Sequence, residues 1–275
     1  MEEPLTIIER RKVRQLLGLR ELFRYRELLY FLASRDIKVR YKQTVLGAAW
    51  AILQPVATMI VFAVFLGRVA GLRTDPIPYP LFVFAGTLPW SFFTNAVTSA
   101  SQSVVGNQNL ITKVYFPRLL IPMAATGASL VDFGFALGIF LILMVVWGFL
   151  PSITIMAIPM LLICLVLCAV GVGSWISALT VGYRDFRYIV PFGMQLWMFA
   201  TPCIYMQTER IESSVGMMWI SLNPAYGLIE NFRRSLLGYE LDVSSLGVSA
   251  ALSVFLFLTG CLYFRATEKS FADII

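Results

Sequence analysis

The sequence predicts an all-α integral membrane protein with six transmembrane helices and an amphipathic helix before the first of them. Composition and six long apolar runs both support this prediction. Hydrophobic residues make up 58% of the 275-residue chain and charged residues only 14%, with a mean hydropathy of +0.76. Soluble proteins carry about 25% charged residues. A soluble particle of this chain would therefore lack the polar groups needed to cover its surface.

The N-terminal segment, 1–46, is basic and is expected to be cytoplasmic, and its part 19–42 has the periodicity of an amphipathic helix. Such a helix lies in the membrane interface with its basic face outward. Two functions are open: a surface anchor, which the periodicity alone favours, and a gate or docking element beside a pore. One face carries Arg24, Glu27, Phe31, Arg35 and Lys38, and the other Leu22, Tyr25, Leu28, Leu29 and Leu32.

The transmembrane domain, 47–265, is predicted to contain the six spans, and 266–275 forms a short cytoplasmic tail. Each span approaches or exceeds the roughly 20 residues that cross the hydrocarbon core. No cleavable signal peptide is expected, because the first apolar run has no clear small-residue cleavage site. The spans lie at about 47–70, 79–101, 119–148, 154–181, 189–206 and 245–264, the fifth being the shortest.

The distribution of Lys and Arg predicts that both termini are cytoplasmic. With the N-terminus inside, 17 basic residues lie on the inner side and five on the outer side, as the positive-inside rule requires. Half of the 22 basic residues precede residue 47, directly before the first span. This juxtamembrane cluster indicates attraction to anionic lipid headgroups, so the net charge of +6 does not point to nucleic acid.

The connection between the fifth and sixth spans, about 207–244, is long and contains the apolar stretches MMWISL and AYGLIENF. A solvated loop would not concentrate such residues. Two short helices are predicted there, lying at or dipping into the outer membrane face, with Asn223 and Pro224 at their junction. An interfacial loop without a mechanistic role is the alternative.

Several kinds of chemistry are missing from the sequence. It contains no histidine, which excludes His-ligated metals and Ser-His-Asp triads. No phosphate-binding Gly-rich loop, zinc-protease motif or carboxylate pair is present. Neither enzyme catalysis nor a bound metal is expected of this chain.

Asp132, midway along the third span, is the one carboxylate that lies deep in the predicted membrane segments. A charge in this position is expensive and usually marks function or a partner. A structural role is favoured, with hydrogen bonds to helix neighbours such as Ser or Thr, and a role in transport is the alternative. Small-residue pairs at i, i+4, which permit close helix packing, occur at Gly134 and Gly138 and at Ala169 and Gly173.

Aromatic residues make up 14% of the chain, and most are expected to face lipid or pack between helices. An aromatic ring that faces a channel can also stack on the apolar face of a sugar. Candidates for such stacking are Phe82, Phe84, Trp90, Phe92 and Phe93 on the second span and Trp197, Phe199 and Tyr205 on the fifth.

Four stretches, in this order and at this spacing from the spans, resemble the permease subunit of ABC exporters for cell-surface polysaccharides. They are RDIKVRYKQTVLGAAWAILQP at 35–55, NQNLITKVYFPRLLIP at 107–122, YRDFRYIVP at 183–191 and LNPAYGLIENFRR at 222–234. The resemblance covers about 30–270. It implies a homodimer around one channel in a bacterial inner membrane, exporting O-antigen, teichoic acid or a related lipid-linked glycan. Each permease would dock one separate ATPase subunit, which binds the ATP and Mg²⁺, so this chain itself needs no cofactor.

The resemblance also implies roles for particular segments. The stretch 106–118 corresponds to a cytoplasmic coupling helix that enters a cleft on the ATPase, and the segment before the first span to a cytoplasmic gate that meets the lipid diphosphate. The connection 207–244 corresponds to outer gate helices. The residues concerned are Asn109, Leu110, Lys113, Tyr115, Phe116 and Arg118 for coupling, Arg35, Lys38, Arg40 and Lys42 for the diphosphate, and Trp219, Asn223, Pro224 and Tyr226 for the outer gate.

Two other functions remain as alternatives to polysaccharide export. An ABC exporter of drugs or small lipids would use the same scaffold. A proton-coupled secondary carrier would work without an ATPase and depend on Asp132, while a membrane glycosyltransferase would need a carboxylate pair or metal site that is absent.

Overall fold

The computed structural model describes residues 19–42, 49–69, 71, 77–201 and 222–271. Within these ranges the regular structure is helical and contains no strand, which confirms the all-α prediction for the described part of the chain. The elements are α1 Leu19–Arg24, α2 Arg26–Lys42, α3 Ala49–Phe62 with a π-helical continuation Ala63–Val69, α4 Tyr79–Gly106, α5 Gln108–Lys113, α6 Leu120–Val146, a 3₁₀ turn Ile153–Ala157, α7 Ile158–Gly182, α8 Phe186–Ala200, α9 Pro224–Leu237, α10 Val243–Thr267 and a 3₁₀ turn Glu268–Ser270.

A helix occurs at each of the six predicted spans, and three of these helices are long and apolar enough to cross a membrane. They are α6, α7 with its preceding turn, and α10. Most of their residues are not buried within the chain, as expected for helices that face lipid. α8 ends at Ala200, and the rest of the predicted fifth span lies outside the described residues.

The central helix of the bundle is α4, which packs against α3, α6, α7 and α9. Most of its residues from Tyr79 to Phe93 are buried. Some of its buried polar side chains bond to the backbone of the helix itself. The hydroxyl of Thr87, for example, is buried and donates to the Val83 carbonyl oxygen at 2.9 Å.

Glycines let α7 approach its neighbours closely. A Cβ atom on Gly260 of α10 would lie 2.1 Å from the carbonyl oxygen of Gly171, and one on Gly173 would lie 2.6 Å from the Cβ of Ala100. The close approach predicted at Gly173 is therefore confirmed. At Gly134 and Gly138 a Cβ would meet nothing within 4 Å, so this pair mediates no packing between the described helices.

One end of the bundle gathers segments that are distant in sequence. An apolar cluster there, the end cluster, combines Leu22 and Leu32 from the N-terminal helices with Ile111, Phe116, Phe264 and Phe271. The apolar face of the predicted amphipathic helix thus packs on the chain itself, and the helix is broken at Tyr25 into α1 and α2. The N-terminal helices, α5 and the end of α10 consequently share one face of the molecule.

We predict that Gly260→Ala destabilises the protein, because its methyl group would collide with the backbone of α7 at Gly171. The melting temperature in detergent should fall. The matched control is Gly247→Ala on the same helix, where nothing lies within 4 Å and alanine favours the helix. Equal melting temperatures for the two variants would contradict the close crossing of α7 and α10.

Candidate functional site

Asp132, the deep carboxylate of α6, is bonded to the N-terminal helix α2. The guanidinium of Arg40 donates to one carboxylate oxygen and the hydroxyl of Tyr41 to the other. Arg40 also donates to the hydroxyl of Ser99 on α4 at 3.3 Å. The expectation that Asp132 bonds to Ser or Thr neighbours was wrong, because its partners come from a helix more than 90 positions away.

A second polar contact joins α2 to the predicted coupling segment. The guanidinium of Arg35 donates to the side-chain oxygen of Asn107 at 2.6 Å and forms an ion pair with Asp36 at 2.8 Å. Asn107 lies at the junction between α4 and α5, and its side-chain amide donates to the Ser103 carbonyl oxygen. The contact therefore links α2 to the junction of α4 and α5.

The predicted diphosphate-binding residues of α2 fall into two groups. Arg35 and Arg40 are held by the contacts above, whereas Lys38 and Lys42 are exposed. The two lysines line a shallow cavity of about 380 Å³ on the surface of α2. The remaining lining is Phe31, Ser34, Arg35 and Val39.

A polar cavity of about 350 Å³ lies between α2, α3, α4 and α6, beside the Arg40–Asp132 pair. Three polar residues of α4 face it at a spacing of four, Ser91, Asn95 and Ser99, and Trp50 and Gln54 face it from α3. The sequence analysis missed these residues. Their i, i+4 spacing is a helical signal, since it places them on one face of each helix.

The predicted coupling segment forms the short helix α5, and only part of it is exposed. Asn109 and Lys113 face outward, Leu110 is half-buried, and Tyr115 just beyond the helix is 88% exposed. Phe116 is 5% exposed and belongs to the end cluster, so it offers no surface to a partner in this conformation. Arg118 donates to the carbonyl oxygen of Glu268 and so joins the segment to the C-terminal end of the described chain.

The aromatic candidates for sugar stacking are mostly part of the helix core. Phe82, Phe84, Trp90, Phe92 and Phe93 are buried. The ring of Trp197 packs edge-on against Phe93, at 5.3 Å between centroids, and against Trp90. Phe92 also lines the polar cavity, Phe199 is exposed, and Tyr205 lies outside the described residues.

The helix predicted after Asn223–Pro224 exists as α9, at the end of the bundle opposite the end cluster. Asn223 caps it by accepting from the Ala225 amide, and it also accepts from the indole of Trp197 and donates to Thr201. α9 inserts between α4, α7 and α10 and buries one full side, while Tyr226 is half-buried. The helix predicted before Asn223, with Trp219, lies outside the described residues.

Two polar contacts hold α9 in place. Arg233 is only 4% exposed and lies over the Phe82 ring of α4 at 4.3 Å, while its ion pair with Glu230 is within α9. Asn231 bonds to the backbone of Asp242, the residue that caps α10. Burial raises the pKa of Asp242, but hydrogen bonds from Ser244 and Ser245 outweigh it and the net shift is downward.

Residues 27–237, from α2 to the end of α9, match the family model described as ABC-2 type transporter. The chain belongs to this family. Its relatives include two proteins named O-antigen export system permease protein RfbA. The one from Myxococcus xanthus is 29% identical over 93% of this chain and 98% of its own length, and one from Klebsiella pneumoniae is 26% identical over 90% and 95%.

A more distant relative is the polysialic acid transport protein KpsM from Escherichia coli, 23% identical over 86% of this chain and 92% of its own length. The resemblance to polysaccharide-export permeases is therefore confirmed at the level of the ABC-2 family and its curated members. The family match includes both ends of the Arg40–Asp132 contact and of the Arg35–Asn107 contact.

We predict that Asp132 and Arg40 are energetically coupled. Asp132→Asn and Arg40→Gln should each destabilise the permease, and the double variant should be little worse than either, with a coupling energy of about 1–3 kcal/mol. Denaturant titration in mixed micelles measures the free energies of unfolding. Glu27→Gln, which alters an exposed carboxylate of α2, is the control. Strictly additive effects of the two substitutions would contradict the pairing.

Proposed function

We propose that this chain is the membrane permease of an ATP-driven exporter of lipid-linked polysaccharide, such as an O-antigen or a teichoic-acid-like glycan. It works as a homodimer in a bacterial inner membrane, with six spans per protomer and both termini in the cytoplasm. A separate ATPase subunit docks on each protomer and hydrolyses ATP. The names of the relatives, the predominance of Lys and Arg on the predicted inner side and the family match support this proposal.

The observation that carries the proposal is a chain of polar contacts between the predicted coupling segment, 106–118, and the membrane-spanning helix α6. Asn109, Lys113 and Tyr115 offer the docking surface. From there Asn107 bonds to Arg35 of α2, and the same helix bonds to Asp132 through Arg40. Nucleotide-driven movement of a docked ATPase would reach α2 along these contacts and shift the channel between states.

On this proposal α2 is the cytoplasmic gate. Lys38 and Lys42 are exposed and meet the diphosphate of the lipid carrier, while Arg35 and Arg40 hold the helix that presents them. α9 and the segment before it form the outer gate. The proton-carrier alternative is disfavoured, because both carboxylate oxygens of Asp132 already accept hydrogen bonds from α2.

We predict that Tyr115→Asp abolishes docking of the ATPase without unfolding the permease, because this side chain is 88% exposed. Co-purification from the native host, followed by mass determination of the intact complex, measures docking. Tyr30→Asp, at an exposed tyrosine of α2, is the matched control. A two-plus-two complex that survives Tyr115→Asp would place the docking surface elsewhere, and a wild-type permease that recovers no ATPase would contradict the proposed function.

We predict that Arg35→Ala, Asn107→Ala and the double variant keep the ATPase bound but lose export. Each removes the contact that joins α5 to the gate helix. Glycan display at the cell surface and ATP hydrolysis by the purified complex should be measured together. Arg26→Ala, at an exposed arginine of the same helix, serves as the control. Normal glycan display in the double variant would show that coupling follows another route.

A further inference from the structure

A cavity of about 460 Å³ opens between the start of the coupling segment and the turn that joins α7 to α8. Arg184 and Arg187 line it, with Tyr188 from α8 and Gln108 from α5. Val105, Thr180 and Val181 complete the lining. The cavity is separate from the surface of α2 that carries Lys38 and Lys42.

The two arginines of this cavity have no partner among the described residues. Neither guanidinium forms an ion pair or a side-chain hydrogen bond there, and the exposed Asp185 between them pairs with neither. Elsewhere at this end of the bundle, Arg35, Arg40 and Arg118 each donate to an oxygen of the chain. Two exposed guanidinium groups that line one cavity and have no acceptor favour an anion that takes several hydrogen bonds, which is a property of phosphate.

The surroundings of the cavity are those of a membrane surface. Tyr183 and Tyr188 flank the arginines and are 66% and 78% exposed. Directly after them, α8 exposes Ile189, Phe192 and Leu196. Tyrosines at the boundary between a polar end and an apolar helix surface lie at the level of the lipid headgroups. At this level of a membrane the phosphate of a lipid is the anion that Arg184 and Arg187 would meet.

We propose that Arg184 and Arg187, together with Tyr188 and Gln108, bind the phosphate or diphosphate group of a membrane lipid. Gln108 is the first residue of α5, so a bound headgroup would contact the coupling segment. Lipid occupancy would then bias the position of α5 and, through Asn107 and Arg35, that of α2. The binding itself does not depend on which substrate the protein exports.

The alternative ligand of this cavity is an acidic segment of the ATPase, and the apolar surroundings of the cavity disfavour it. Val105 and Val181 give the cavity an apolar lining, and the exposed tyrosines and α8 place it beside lipid. The exposed residues of the α5 segment, Asn109, Lys113 and Tyr115, offer a separate surface for a protein partner.

The test is lipid binding by the purified full-length chain, delipidated in detergent and titrated under native mass spectrometry in the absence of ATPase and glycan. The probes are dioctanoyl phosphatidylglycerol, farnesyl diphosphate and inorganic pyrophosphate, with dioctanoylglycerol as the phosphate-free control. The chain used is K38Q/K42Q, which lacks the two lysines proposed for the carrier diphosphate. In this background R184Q/R187Q should weaken binding of both phosphate-bearing lipids about tenfold, since each lipid loses two charge-assisted donors. R184K/R187K should retain part of the affinity.

The control is K269Q, which removes an exposed cation outside both the cavity and the N-terminal basic cluster and should leave binding unchanged. Tighter binding of farnesyl diphosphate than of phosphatidylglycerol would identify a diphosphate lipid as the ligand. Equal binding of the two would identify an ordinary anionic phospholipid. Either result supports the proposal. Equal lipid binding with and without R184Q/R187Q in the K38Q/K42Q background overturns it, as does pyrophosphate binding as tightly as the lipids. If R184Q/R187Q no longer co-purifies with the ATPase while its lipid binding is unchanged, the cavity belongs to the protein partner and the proposal is wrong.

Discussion

A carboxylate placed in a bundle of apolar helices must find a cation and hydrogen-bond donors, and in this protein Asp132 finds both on α2. This requirement determines where the N-terminal helix lies. With Arg40 and Tyr41 held at α6, the apolar face of α1 and α2 packs against the other residues of the end cluster. The same placement brings Arg35 to Asn107 and closes one side of the polar cavity. Without this interaction α2 would be held mainly by the apolar contacts of its first turns.

The two ends of the bundle are built in different ways. At the end that carries α5, polar contacts connect separate elements: Arg35 joins α2 to the coupling segment, and Arg118 joins that segment to the C-terminal turn. At the opposite end, α9 is inserted into the core and fixed by Asn223, by Arg233 over the Phe82 ring and by Asn231. On the proposed function, a displacement of α5 would reach α2 through the Asn107–Arg35 contact, while α9 packs against α4, α7 and α10.

Most of the helical framework could be predicted from the sequence, because long apolar runs mark α6, α7 and α10 to within a few residues. Partner choice could not be predicted. Periodicity gives the face of a helix but not the element that it meets, so the pairing of Asp132 with Arg40 was missed and Phe116 was expected at a partner's surface. The aromatic candidates on α4 are core residues for the same reason, since an aromatic ring fits a helix core as well as a channel wall. The polar face at Ser91, Asn95 and Ser99 was predictable, because its spacing of four is visible in the sequence.

Hydrogen–deuterium exchange of the α2 backbone tests most directly whether Asp132 positions α2. The wild-type permease should be compared with Asp132→Asn in the same detergent, over peptides that cover 26–42 and 120–146. If Asp132 anchors α2, the variant should exchange faster throughout the second half of α2, near Arg40, while α6 keeps its protection. Unchanged protection of α2 in a folded variant would contradict the central claim, because α2 would then be held by something other than its contact with Asp132.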